Sequence, residues 1–498
     1  MLSQSTRSRL QSPHVWAFTT YFAEGFPYTI IRIISSVFFR DIGVSLQAIG
    51  LTSLYGIPWV LKFLWGPHID EYGTKRTWML LMQGSLVVIM GLIALLVPVP
   101  WGIRVIAITL LVGSFIAATH DMAIDGYYME ALDEKGQAKF VGYRVMAYRI
   151  AMMTGTGVIV TIGATMSWQM AYICSATMLA LLFVYHIALL PRVEIYKSSY
   201  TELIKQFLTF RLLVASALLA GALILFFKVA IPYWNTQIVP SAPMLGKIKF
   251  SGWVAIGLLT GLVLLGLFKS KIKEMMLRDK SSFYAQAFMA FMDRERIGVA
   301  LAFIILMRTG ESMLASMVSP FIVDLGIKVH YGWISGGVGL PFSIVGAMAG
   351  GWLISRYGLR NTIWPFLLAQ NFTNLIYMVL AFHLQPFVAI NTGAACPTPI
   401  GIQNIFLVAS VHAFDQFAGG LGTSVLITYL MRTCLDEFKA AHFAIGSGLM
   451  NISGVLAGAG SGFLAAWLGY GAFFGVSFLA SLPGMALIFF IPFLDEKA

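Results

Sequence analysis

Runs of about twenty apolar residues recur along nearly the whole chain, and they limit its fold more than any other feature. A helix needs about 20 such residues to cross the hydrocarbon core of a bilayer, where every backbone N–H and C=O must be bonded within the segment. The runs lie at about 15–39, 46–64, 78–97, 103–127, 140–165 and 170–190, then 208–230 and 251–268, then 297–323, 332–353, 362–382, 405–431, 440–465 and 470–491. About fourteen spans follow, and with them an all-α polytopic membrane protein. Composition agrees, since 58% of the 498 residues are hydrophobic and 11% charged, against roughly 25% charged in a soluble domain. A water-soluble globule is excluded.

The formal net charge of +11 would suggest nucleic acid in a soluble protein, but cytoplasmic loops of membrane proteins collect Lys and Arg. Lys75 and Arg76, Lys135 and Lys139, and the series Lys269, Lys271, Lys273, Arg278, Lys280, Arg294 and Arg296 fall on one side. Met166–Gln169 and His383–Asn404, on the other side, carry neither residue, and Lys247 and Lys249 are outnumbered. Both termini are therefore expected in the cytoplasm, with the bilayer and a small molecule as partners and no nucleic acid. The first run contains Glu24, Pro27 and Arg32, which suits a retained helix better than a signal peptide. Cys174, Cys396 and Cys434 have neither disulfide nor metal spacing.

The two ends of the chain repeat each other. The segment DIGVSLQAIGLTSLYGIPWVLKFLWGPHIDEYGTKRT from Asp41 resembles DLGIKVHYGWISGGVGLPFSIVGAMAGGWLISRYGLRNT from Asp324. Gly43 matches Gly326, Gly56-Ile57-Pro58 matches Gly339-Leu340-Pro341, and Tyr72-Gly73 matches Tyr357-Gly358. Repeated six-helix halves flanking a central site are a secondary-transporter architecture. The expected organisation is a first half at 1–191, a linker with two extra spans and a basic segment at 192–296, and a second half at 297–498.

Gly66, Asp70, Gly73, Lys75 and Arg76 fit G-x3-D-x2-G-x-K/R-R between the second and third spans, which resembles the signature loop of the major facilitator superfamily. EGFPYTIIRIISSVFFRDIG from Glu24, ATHDMAIDGYYMEALDEKGQAKFVGYRVMAYRIAMM from Ala118, MRTGESMLASMVSPFIVDLGI and DQFAGGLGTSVLITYLMRTC extend the likeness over most of twelve core spans. Together they resemble the peptide/acetyl-CoA transporter family, in particular AmpG-type muropeptide permeases. The resemblance implies proton-driven import of GlcNAc-anhydro-MurNAc peptides across a bacterial inner membrane, with the proton gradient as energy source and no cofactor. Acetyl-CoA or another bulky anionic solute is the alternative cargo, and a monomer is expected. Two departures stand out: Glu24 replaces a small residue, and His120-Asp121 replaces a Gln-Asp pair.

Ionisable groups inside spans cost roughly 2.5–3.5 kcal/mol on insertion scales and usually face a cavity or a partner. Glu24, Tyr28 and Arg32 follow at i+4 spacing on one face of the first span. Glu24 could bind a proton and Arg32 a substrate carboxylate, or the two could serve structure alone. Asp121 and Asp125 share a face near Arg144 and Arg149, as a proton-linked gate or as a permanent lock. Arg308 and Glu311, and Asp415 with Gln416, are mid-span candidates for the facing wall of a cavity, although Arg308 and Glu311 could satisfy each other. Tyr127, Tyr128, Tyr143 and Tyr148 suit packing better than sugar stacking, and the glycines from Gly446 to Gly462 suit close helix contact. A membrane-embedded enzyme is the rival class, but no catalytic constellation is recognisable. The expected mechanism is alternating access, with the Gly66–Arg76 loop helping to close the cytoplasmic side.

Overall fold

The computed structural model describes residues 9–62, 65, 66, 69, 72–192, 290–294, 296–391, 398, 400–435, 439–492 and 494. Among them, ten helices are long and apolar enough to cross a membrane, and a shorter apolar helix spans Leu46–Leu61. In chain order they are α1 (Pro13–Asp41), α2 (Leu46–Leu61), α3 (Lys75–Leu96), α4 (Gly102–Ala131), α5 (134–165) and α6 (Trp168–Leu189). After residue 296 come α7 (Ile297–Asp324), α8 (Lys328–Tyr357), α9 (Leu359–His383) and α10 (Ile402–Thr433). The last helical stretch, 439–489, divides into α11 and α12 at Gly469.

This departs from about fourteen separate spans in three places. The runs at 208–230 and 251–268 lie outside the described residues, as does Cys396. The run at 46–64 yields a helix below full spanning length. The runs at 440–465 and 470–491 follow each other without a loop, because Gly469 (φ 75°, ψ 164°) occupies backbone space that is essentially glycine-only and redirects the chain in one residue. Many large apolar side chains are exposed, among them Leu95 at 69%, Met348 at 71% and Trp467 at 81%, which suits a surface for acyl chains rather than water.

Backbone geometry supports the internal repeat. Gly43 and Gly326 have φ of 85° and 78°, and Gly73 and Gly358 have 68° and 78°. At Gly56-Ile57-Pro58 a 3-10 turn (Thr52–Gly56) passes into α-helix, and at Gly339-Leu340-Pro341 a π-helical stretch (Gly332–Gly339) does the same. Each proline falls in the first turn of the new helix, where its missing N–H leaves no bond unmade.

Helices α1–α6 and α7–α12 meet along α2 against α11 and along α5 against α8. Glycines permit both approaches: a Cβ on Gly336 would come within 2.8 Å of Gly157 Cα, and one on Gly462 would strike the carbonyl of Leu46. Gly458 also lies on this seam, whereas Gly446 packs on Leu430 and Gly448 and Gly460 meet open space.

One end of the seam is latched by two crossed ion pairs. Arg40 of α1 grips Asp324 of α7 through Nε and Nη2, both at 2.6 Å, and Lys328 of α8 reaches Asp41 of α1 at 2.6 Å. Each aspartate also accepts from an aromatic donor of its own half: Asp41 from Trp168 Nε1 at 2.7 Å and Asp324 from the Tyr470 hydroxyl at 2.6 Å. The same arrangement thus occurs twice, once around each aspartate that opens the repeat.

Candidate functional site between the two halves

Helix α1 is deformed where the site lies. Pro27 cannot donate to the carbonyl four residues back, and Ile30–Ile34 winds as a π-helix centred on Arg32. Glu24, Tyr28 and Arg32 do not line a single cavity. An α-helix drifts by about 40° at each i+4 step, and the π-helical winding around Arg32 adds to the spread of the three residues around α1. Arg32 lines two adjoining cavities of about 240 and 300 Å³ between the halves, whereas Glu24 lines a lateral one of about 360 Å³ beside α5. Tyr28 borders all three.

The central cavities join both halves. Arg32 from α1 and Arg308 from α7 border each of them, with Ser312 and Gly454. Trp59, Met450 and Asn451 line one, and Ser36, Ser53, Ser316 and Ser319 the other. Arg32 forms no carboxylate pair among the described residues, and its Nη1 donates to the Ser53 carbonyl at 2.6 Å. Arg308 sits at the break between two α-helical segments of α7 and holds Glu311 through Nε and Nη2 at 2.7 and 2.9 Å. The self-satisfied pair and the cavity wall are therefore both present. The edge of Tyr28 meets Trp59 at 5.1 Å between centroids, giving an aromatic surface beside two guanidiniums.

Within the first half, Lys62 Nζ pairs with Asp121 Oδ2 at 2.7 Å. Asp125 Oδ1 accepts from the Tyr21 hydroxyl at 2.7 Å and faces Arg144 at 3.4 Å, and the Arg144 guanidinium covers the Tyr21 ring at 4.7 Å. The Glu24 carboxyl lies against that of Asp121, and its Oε2 is buried without a hydrogen-bond partner. Of the expected pairings, Asp125–Arg144 forms, while Arg149 lines the lateral cavity instead. Lys62 escaped the sequence reading, although a lysine inside an apolar run was a visible signal.

Asp415 and Gln416 do not border these cavities. Asp415 is buried between α10 and α9, with the Gln416 amide at 3.3 Å and Thr373 beside it. Tyr127 packs edge-on against Trp16 and donates to the Pro191 carbonyl, and Tyr128 is buried on Tyr21, so both serve packing. Tyr143 packs on His14 and Phe140, whereas Tyr148 faces the lateral cavity.

In the loop after α2, Asp70 lies outside the described residues. Gly66 faces Met122 next to Asp121, and Lys75 Nζ donates to the Ile69 carbonyl at 3.0 Å. Arg76 donates to carbonyls of His186, Ile187 and Leu190 at 3.3, 2.9 and 3.3 Å, capping the end of α6. Arg76→Ala is expected to cost about 1 kcal/mol of stability, read as a lowered Tm of the detergent-purified protein, with α6 amides exchanging faster.

A sequence model described as "Major Facilitator Superfamily" matches residues 17–272, just over half of the chain. The chain belongs to the Major Facilitator Superfamily. As a major facilitator it is an integral membrane protein and a transporter rather than an enzyme. It is similar to the anhydromuropeptide permease of Escherichia coli K12, at 23% identity over 94% of this chain and 77% of that one. An uncharacterised Haemophilus influenzae protein is 22% identical over 96% of this chain and 94% of its own length. The crystal structure of a peptide transporter, POT, in complex with sulfate superposes with a TM-score of 0.66 over the full length of both chains at 14% identity, a likeness of fold.

Proposed function

We propose that this major facilitator imports GlcNAc-anhydro-MurNAc peptides together with protons, by alternating access across a bacterial inner membrane. The observation that carries the reading is the central cavity, where Arg32 from one half and Arg308 from the other face the same space beside Tyr28 and Trp59. Guanidinium forks suit carboxylates, which the stem peptide supplies, and aromatic rings suit sugar faces. A ligand held by both halves favours the arrangement that brings the halves together, and so biases the conformational equilibrium. The similarity to the Escherichia coli permease supports the cargo. Proton coupling is assigned to Glu24 and Asp121, whose carboxyls meet beside Lys62 at membrane depth. With basic loops inside, the latched end faces the periplasm.

Acetyl-CoA also presents anions to two arginines and is the competing cargo. Ligand-induced thermal shift of the purified protein separates them. The anhydromuropeptide is expected to raise Tm and acetyl-CoA to leave it unchanged, while Arg32→Gln weakens muropeptide binding about tenfold, the loss of one charge-assisted hydrogen bond. A shift with acetyl-CoA alone would reassign the cargo.

A further inference from the structure

Each half contains a glutamate on its first helix near an aspartate on its fourth. In the first half Glu24 of α1 meets Asp121 of α4, and in the second Glu311 of α7 lies within electrostatic reach of Asp415 of α10. A Cβ added at Gly419, one turn beyond Asp415, would sit 3.4 Å from Glu311 Oε1, so this face of α10 does front the glutamate. The proton-coupled reading above uses only the first of these pairs.

Ion pairing follows the same pattern in both places. Glu24, Asp121 and Asp125 have two ion pairs between them, Asp121 with Lys62 and Asp125 with Arg144, which leaves Glu24 without one. Arg149 lines the same lateral cavity as Glu24 and forms no ion pair among the described residues. Around Glu311 and Asp415 stands one cation, Arg308, engaged by both carboxylate oxygens of Glu311. Asp415 is 8% exposed and forms no ion pair among the described residues. The other groups around it are Thr373 and Tyr377 of α9 and His412 and Gln416 of α10, with His412 Nε2 buried without a hydrogen-bond partner. The His412 ring is engaged at Nδ1 by the Tyr377 hydroxyl at 2.9 Å.

Buried oxygens without a hydrogen-bond partner occur in both regions: Glu24 Oε2 in the first half, and Gln370 Oε1 and Asn371 Oδ1 of α9 in the second, where the Gln370 amide donates through Nε2 to Glu311. Thr373 directs its hydroxyl to the Gln370 carbonyl at 2.7 Å. An unpaired carboxylate at this depth is costly unless it is neutralised. A proton supplies the missing charge.

We propose that Glu311 and Asp415 form a second proton site, so that each half binds one proton and cargo moves with two. Its role in transport rests on the coupled reading above, but its occupancy is measurable without any cargo. The purified full-length protein, exchanged between H2O and D2O near neutral pH, is examined by infrared difference spectroscopy for the C=O stretch of protonated carboxylic acids. Two such contributions are expected, one removed by Glu24→Gln and the other by Asp415→Asn.

Glu311→Gln provides an independent variant with Asp415 intact. It frees Arg308 to neutralise Asp415, so the second contribution is expected to vanish there too. A spectrum unchanged by Asp415→Asn or by Glu311→Gln overturns the proposal. So does a second contribution that appears only when choline replaces Na+, since the site would then hold a metal cation. In proteoliposomes at zero membrane potential, a tenfold proton gradient supports about hundredfold accumulation of a cargo carried with two protons, and about tenfold with one. Asp415→Asn is expected to lower the limit by that factor of about ten.

Discussion

Glu24→Gln is expected to leave exchange of labelled for unlabelled GlcNAc-anhydro-MurNAc tripeptide intact in proteoliposomes, while lowering its accumulation about tenfold under a one-unit pH gradient. The carboxyl lies against Asp121, which is held by Lys62, and the glutamine keeps the volume while removing the proton that can come and go. Exchange needs only that the loaded transporter reorient, whereas accumulation needs the unloaded route to be linked to proton release. Combining Glu24→Gln with Asp415→Asn is expected to bring the cargo to simple equilibration. Undiminished accumulation in Glu24→Gln would remove this carboxyl from coupling altogether.

The second large effect is expected at the latch. Arg40 and Asp324 are 11% and 5% exposed at their side chains and bonded through two short contacts, so removing one partner strands a charge in the closed seam. Breaking such a pair costs about 3 kcal/mol, which is roughly a hundredfold change in the ratio of latched to unlatched protein. Asp324→Asn is therefore expected to populate the form open at that end, visible as a longer distance between spin labels placed on either side of the seam. Arg40→Gln combined with Asp324→Asn is expected to cost less than the sum of the singles, because neither charge is then stranded. Asp41→Asn, which strands Lys328, is expected to act in the same direction with a smaller effect, since Lys328 is 31% exposed. Full additivity would mean that the two residues do not act as a pair.

What the sequence made legible was local. The apolar runs marked the helices, and the matched Gly43 and Gly326, with the two Gly-x-Pro steps, marked a repeat that recurs in backbone torsions. Arg308 with Glu311 could be read from i+3 spacing because one helix holds both. Partners from different helices were not readable in this way. Arg40 and Asp324 are 284 positions apart, and Lys62 finds Asp121 across 59, so no periodicity connects them. The division of Glu24 from Arg32 depends on how α1 is wound, and Asp415 recedes from the cavity because of the way α9 and α10 pack. Spacing along one helix shows which residues share a face, while the neighbours of that face are chosen by the tertiary fold.

Labelling of a single thiol at Ser316 in a cysteine-free background tests alternating access most directly, because that residue lines the central cavity together with Arg32 and Arg308. A membrane-impermeant maleimide is expected to reach it from the face bearing Lys75 and Arg76 when the latch is intact, and from the opposite face once Asp324→Asn opens the latch. A thiol that reacts from neither aqueous face, or from the same face in both proteins, would contradict the account.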